Sequence, residues 1–256
     1  MIPFHKYHGT GNDFILIDNR NGQHQMTTAQ IRALCHRHFG IGADGLMLLE
    51  NEAGYDFRMV YFNSDGNESS MCGNGGRCIA AFARYLGIGA SELRFLAVDG
   101  PHEASFVSGE VSLAMSDVTE ISTYPDHTIL DTGSPHYVLF KDDATSIDVV
   151  RLGRSIRNEA RFQDKGINVN FVHKTMEGIF VRTYERGVED ETLSCGTGVT
   201  AAAIAMAGNA TGRFHIPVET PGGRLSVKFY KPTPDAATEI FLTGPAVRVF
   251  EGEVLV

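Results

Sequence analysis

Short apolar runs recur along the chain with polar or glycine-containing breaks between them, and their periods set the first expectations about the fold. Over residues 14–18, 56–62, 93–98 and 111–115 the runs are apolar or alternate with period two, which predicts strands in the N-terminal half. Residues 27–39 have helical spacing with Thr27 at the start as a cap, which predicts a helix. The C-terminal half repeats the recipe, with strands expected over 128–131, 137–140, 168–172, 179–184 and 225–230 and helical segments between them. Two other stretches, 76–86 and 199–207, are small or apolar nearly all the way round, as in Ile79, Ala80, Ala81, Phe82 and Ala83 or Ala201, Ala202, Ala203 and Ile204. A helix without a polar face has to be buried.

Direct comparison of the halves finds one clear repeat. Cys72-Gly73-Asn74-Gly75 and Cys195-Gly196-Thr197-Gly198 share the pattern C-G-x-G, each preceded four residues earlier by a glutamate, Glu68 or Glu191. Each is followed by one of the two buried helices. A duplicated unit with one such helix per copy predicts an α+β fold of two pseudo-symmetric domains, each a curved mixed sheet or barrel around a central helix. The two helix N-termini are expected to face one cleft, with the crossover near 118–125.

Composition narrows the function classes. With 256 residues, 43% hydrophobic and 21% charged, the chain is an ordinary globular protein of one large or two moderate domains. A formal net charge of −9 with no Lys/Arg cluster argues against nucleic acid as a partner. No signal-like or membrane-spanning stretch is read, so no membrane is expected and the cytoplasm is the default compartment. Four cysteines in a chain of this size do not make a secreted disulfide scaffold, so each has to be judged by its surroundings.

The helix start is where a cysteine becomes chemically useful. Unpaired N–H groups and the positive end of the helix dipole favour a thiolate there, and glycines admit an anion to those N–H groups. Two such loops around one α-carbon suit proton exchange, one thiolate removing the α-proton while the opposing thiol delivers another to the other face. The two helix ends would then stabilise the developing charge in place of a cofactor, so no cofactor and no metal are expected. Cys35 and Cys78 lack this setting and are read as structural. A phosphate-binding loop would need Lys followed by Ser or Thr, which neither repeat supplies. The nearest zinc-like spacing, Cys35-His36-Arg37-His38, is read as a solvated helix face. Thiol redox chemistry would place its cysteines close in sequence, as Cys72 and Cys195 are not.

Five separated motifs then give a resemblance. They are His8-Gly9-Thr10-Gly11-Asn12-Asp13-Phe14, Phe62-Asn63-Ser64-Asp65-Gly66, Met71-Cys72-Gly73-Asn74-Gly75-Gly76-Arg77-Cys78, Gly166-Ile167-Asn168-Val169-Asn170, and Tyr184-Glu185-Arg186-Gly187 leading to Ser194-Cys195-Gly196-Thr197-Gly198. Together and in this order the chain resembles the diaminopimelate epimerase family over most of its length. The resemblance implies interconversion of LL- and meso-2,6-diaminoheptanedioate in lysine and peptidoglycan-precursor synthesis, without pyridoxal phosphate or metal, in a homodimer. It implies domains at 1–118, completed by a returning strand at 246–256, and at 119–245. Cys72 and Cys195 would be the acid/base pair. Asn12, Asn63, Asn168, Glu185 and Arg186 would grip a diamino dicarboxylate, while Gly73, Asn74, Gly196 and Thr197 supply loop donors. Ser134 and His136 complete the substrate-binding set, His136 orienting or polarising the reacting end. Two positions depart from a common family pattern: Ser134 stands where many members have asparagine, and Gly45 where many have glutamine.

Overall fold

The first hairpin shows how this sequence writes a turn. In the computed structural model, which describes residues 1–89 and 91–255, strands β1 (Ile2–Gly9) and β2 (Asn12–Asp18) pair antiparallel with Gly9 opposite Asn12. Thr10 and Gly11 make the turn with φ of 50° and 89°, the left-handed pair that a two-residue hairpin requires. Helix α1 (Thr28–Cys35) leads to β3 (Gly45–Glu50), parallel to β2, and then to β4 (Phe57–Asn63) and β5 (Glu68–Ser69), each antiparallel to the strand before it. After helix α2 (Gly73–Tyr85), β6 (Glu92–Ala97) lies parallel to β4, and β7 (Gly100–Val107) and β8 (Glu110–Ala114) follow as a meander.

The second half repeats these joins one for one. Strands β9 (Ile121–Thr123), β10 (Thr128–Asp131) and β11 (Pro135–Phe140) precede helix α3 (Val149–Arg157) and β12 (Asn168–Lys174), which is parallel to β11. Strands β13 (Ile179–Glu185) and β14 (Asp190–Thr192), helix α4 (Gly196–Met206) and then β15 (Gly212–Thr220), parallel to β13, keep the order. Strands β16 (Gly223–Thr233) and β17 (Ala236–Gly244) close the meander. The last strand, β18 (Val247–Val254), pairs with β1, the place that β9 takes beside β10.

The chain divides into two units, Met1–Leu113 with Pro245–Val256, and Ala114–Gly244. The sequence placed the boundaries at 118 and 246. The first division falls earlier because the backbone beyond Leu113 is already tied to β17: the Met115 N–H donates to the Ile240 carbonyl, and Val118 bridges Ala237.

Strand alternation sorts each unit's residues between two faces. In the first unit, Ile15, Ile17, Leu46 and Leu48 pack with Ile31, Leu34 and Cys35 of α1, while α2 buries Cys78, Ile79, Ala80, Phe82 and Ala83. In the second, Tyr137, Val169 and Phe171 pack with Val149 of α3. Val138 and Val172, on the opposite face, join Val199, Ala201, Ala202, Ala203 and Ile204 of α4. His136, Asn168 and Asn170 therefore share the α4 face.

Two helix boundaries differ from expectation. Both central helices start three residues before 76 and 199, because the glycines form the first turn rather than a preceding loop. Both glycines pack closely on the sheet: a Cβ at Gly198 would lie 2.4 Å from Asn170 Oδ1, and one at Gly75 would have to displace the Met47 methyl at 2.5 Å. Helix α1 ends at Cys35 and does not continue to 39. The His36 ring Nδ1 accepts the His38 and Phe39 N–H groups, and the Leu34 and Cys35 carbonyls accept from Gly42 and Ala43 instead. The two histidines thus lie in a turn, not on a helix face.

Candidate active site

In the first unit the cysteine is itself the helix cap. Cys72 has extended backbone (φ −111°, ψ 151°), and its Sγ accepts the Gly75 N–H at 3.3 Å, so the sulfur sits against the free N–H groups of the first turn. Buried Asn74 in that turn donates its amide to Asn12 Oδ1 at 3.3 Å. Asn12 in turn donates to Asp44 Oδ2 at 2.6 Å. Asn63, at the end of β4, is exposed and stands opposite Gly45.

Behind Asn12 lies an ionic network that runs from buried Lys6 to exposed Arg37. Asp13 pairs with buried Lys6 at 2.6 Å and with both terminal nitrogens of Arg37, which also reaches Asp44 at 2.6 Å. Burial raises the Asp13 pKa, but the hydrogen bonds from Arg37 and Lys6 outweigh it and hold the carboxyl near 2. Gly45, beside this network, is required by packing: an added Cβ would lie 2.5 Å from Tyr61 Cε2 and 2.6 Å from the Phe62 carbonyl oxygen. Gly45→Gln is accordingly expected to lower stability by about 1–3 kcal/mol in thermal unfolding without tightening substrate binding.

In the second unit Cys195 holds the same place at the start of α4 (φ −117°, ψ 112°) and is buried. Its Sγ lies 3.4 Å from Thr197 Oγ1, and the Thr197 carbonyl is held by Thr132 Oγ1 at 2.8 Å. Beneath α4, Asn170 donates its amide to His136 Nδ1 at 3.0 Å and accepts from Thr183 Oγ1 at 2.9 Å. His136 has no exposed surface, and burial, with the charge of Arg186, pushes its pKa down to about 3. The ring is neutral near pH 7, and with Asn170 donating to Nδ1 the hydrogen is assigned to Nε2. Nε2 has no hydrogen-bond partner among the described residues.

Beside this cluster Ser134, Asn168 and Arg186 form one hydrogen-bonded group. Asn168 donates to Ser134 Oγ at 2.9 Å and accepts the Arg186 N–H at 2.8 Å, while the Arg186 guanidinium donates to Ser134 Oγ at 3.2 Å. Glu185 accepts from Thr192 Oγ1 at 2.9 Å. Of the motif residues, Asn12 meets Asn74 in the first turn of α2 and Cys195 meets Thr197 in that of α4, whereas Ser134, Asn168 and Arg186 bond to one another and Glu185 to Thr192. Sequence reasoning gave no role to Asp13, Asp44, Arg77 or Asn170. Asn170 was signalled by its period-two spacing from Asn168, and Arg77 by being the one charged residue in the inner part of a helix apolar all round. Among the described residues no three His, Cys, Asp or Glu side chains gather as a metal site.

Comparison with solved structures identifies the fold class. A Bacillus anthracis phenazine biosynthesis protein of the PhzF family superposes with a TM-score of 0.77 at 15% identity, covering 100% of this chain and 99% of that one. A hydroxyproline epimerase from Agrobacterium vitis with bound trans-4-hydroxy-L-proline gives 0.70 at 14% identity, covering 98% and 91%. The duplicated α+β fold is that of these proteins. The family model for diaminopimelate epimerase matches residues 4–121 and 128–249. A diaminopimelate epimerase of Flavobacterium psychrophilum is 51% identical over 256 residues, covering 98% of this chain and 99% of the relative. One of Chlorobaculum tepidum is 41% identical, covering 96% and 98%. The chain belongs to the diaminopimelate epimerase family, and it is an isomerase. Among the described residues no helix is long and apolar enough to cross a membrane.

Proposed function

We propose that this enzyme interconverts LL- and meso-2,6-diaminoheptanedioate in lysine and peptidoglycan-precursor synthesis, by passing protons between Cys72, Cys195 and the substrate's α-carbon without pyridoxal phosphate or metal. The observation that carries this reading is the duplicated cysteine at the start of a buried helix, Cys72 on α2 and Cys195 on α4. One sulfur, as thiolate, takes the α-proton and becomes a thiol. The electron pair of the broken C–H bond passes into the carboxylate, and the other thiol gives its proton to the opposite face and is left as thiolate. The centre is inverted, and the two sulfurs have exchanged protonation states. Free N–H groups at the two helix starts are suited to the charge that grows on the carboxylate.

The remaining roles follow from residue chemistry. Gly73, Asn74, Gly196 and Thr197 hold the reacting carboxylate. Arg186 takes the distal carboxylate, Glu185 the distal ammonium, and Asn12, Asn63, Asn168 and Ser134 supply neutral contacts between. His136, fully buried below Gly198, acts on the reacting end by fixing the first turn of α4. The test is turnover of LL-diaminopimelate by the purified chain without added cofactor, read by chiral chromatography. Appearance of the meso isomer to equilibrium supports the reading, and turnover of proline or hydroxyproline instead would replace it.

We also propose a cytoplasmic homodimer. What supports a second copy as partner is β18, whose Val247, Val249 and Phe250 are 43%, 55% and 47% exposed on a strand that pairs with β1. Apolar exposure of this kind on an edge strand invites pairing. Phe250→Asp should convert the dimer to monomer in sedimentation velocity, and a native chain that sediments as a monomer at micromolar concentration would refute the assembly.

A further inference from the structure

The two helix starts are built alike but charged differently. Four residues after the first helical glycine, each helix has a side chain that turns back to that glycine's carbonyl: Arg77 Nη1 donates to Gly73 O at 3.1 Å, and Thr200 Oγ1 donates to Gly196 O at 2.9 Å. Arg77 carries a permanent charge and Thr200 none. The beds beneath also differ. A Cβ at Gly75 would meet Met47 and the Phe14 ring, whereas one at Gly198 would meet Asn170, His136 and Thr183. Strand register shows these to be the same positions, since Phe14 opposes Gly45 at the first parallel join and His136 opposes Asn168 at the second.

Arg77 is fully buried, and its hydrogen-bond partners among the described residues are all neutral. Besides Gly73 O it donates to Asn74 Oδ1 at 3.1 Å, Thr10 Oγ1 at 3.4 Å and the Pro245 carbonyl at 3.4 Å. A buried cation is costly without an anion, and one in the second turn of a helix also opposes the dipole. Such a group leaves a standing positive potential at the start of α2. The titratable groups that interact with it electrostatically are Cys72 and Cys78 on its own helix and Glu110 on β8. Cys78 also feels Asp13 from β2 and is itself felt by Tyr7 on β1. Burial pushes the Cys78 thiol far up, so it stays protonated.

From this geometry we propose that Arg77 is a positioning residue that fixes the Gly73–Asn74 turn and makes Cys72, rather than Cys195, the sulfur that rests as thiolate in the free enzyme. The inference rests on the reading of the two cysteines as the acid/base pair. It assigns the apolar bed under Cys72 a buried charge to offset desolvation, while the same positions of the second repeat carry Asn170, His136 and Thr183, with the Arg186 charge acting on the His136 ring.

The test is the pH dependence of iodoacetamide alkylation of the full chain without substrate, read residue by residue by peptide mass spectrometry. In the native chain Cys72 is expected to alkylate with a lower pH midpoint than Cys195. Arg77→Met should raise the Cys72 midpoint by about one unit, leave Cys195 in place and move the acid limb of kcat/KM upward, and Arg77→Lys should restore most of both. A Cys195 midpoint at or below that of Cys72 in the native chain overturns the proposal, even if Arg77→Met does not fold. So does an unmoved Cys72 midpoint in a folded Arg77→Met chain, or a Lys variant that behaves like the Met variant. Failure of the epimerase reading would show separately, as absence of turnover with these midpoints unaffected.

Discussion

Replacing either Cys72 or Cys195 by alanine is expected to lower kcat by about 10³-fold or more, the range in which a positioned acid or base contributes. The two losses should not add, since with one sulfur gone the other has no partner to complete inversion. Stability should change little. Cys72→Ala removes one cap interaction, the Gly75 N–H to sulfur contact at 3.3 Å, and costs about 1 kcal/mol. Cys195→Ala removes a sulfur that packs beside Thr197. Steady-state turnover, with circular dichroism and a thermal melt on the same samples, separates loss of chemistry from loss of fold. A single alanine variant with near-native turnover would mean that one base serves both faces.

The second large effect belongs to Asp13, the hub behind Asn12. Its carboxyl is held near 2 against an ordinary 3.8, a difference worth about 2–3 kcal/mol of folding stability. Because the folded value lies below the unfolded one, that stability is fully present above about pH 4 and is lost as pH falls through about 2. Asp13→Asn also leaves buried Lys6 without its counter-charge, at 2.6 Å in the native chain, which brings the expected loss at pH 7 to about 3–5 kcal/mol. Denaturant unfolding at pH 7 and again near pH 2.5 checks this, with the gap between native and variant narrowing at the lower pH. An equal gap at both would show that Asp13 acts through packing and not through charge.

The architecture was legible in the sequence because duplication leaves a signal that periodicity alone does not. The two C-G-x-G copies and their all-apolar helices pointed to central helices, and α2 and α4 are buried nearly throughout. Strand β3 was not read: Gly45–Glu50 is apolar without alternation, since both of its faces are covered. The extent of α1 was misread because its end depends on a His36 side chain competing for backbone N–H groups, which helical spacing does not register. The motif glycines were read as openings for a ligand. Gly198 packs on Asn170, whose amide is held by His136 and Thr183 and leaves no room for a Cβ, and Gly75 packs on the Met47 methyl and Cys72 Sγ. Of the site, the motif asparagines were visible as residue types, but the network that holds Asn12 joins Lys6, Asp13, Arg37 and Asp44 across a parallel strand pair and a turn. Such partners meet only through the fold.

The central claim, that two sulfurs act on opposite faces of one α-carbon, is tested most directly by running LL-diaminopimelate in deuterated water, without cofactor, and stopping within the first few turnovers. The account predicts that the meso product carries solvent deuterium at the inverted centre while recovered LL substrate is still unlabelled, because the proton removed and the one delivered belong to different thiols. Product that keeps the substrate's own α-hydrogen, or substrate labelled as fast as product, would contradict it.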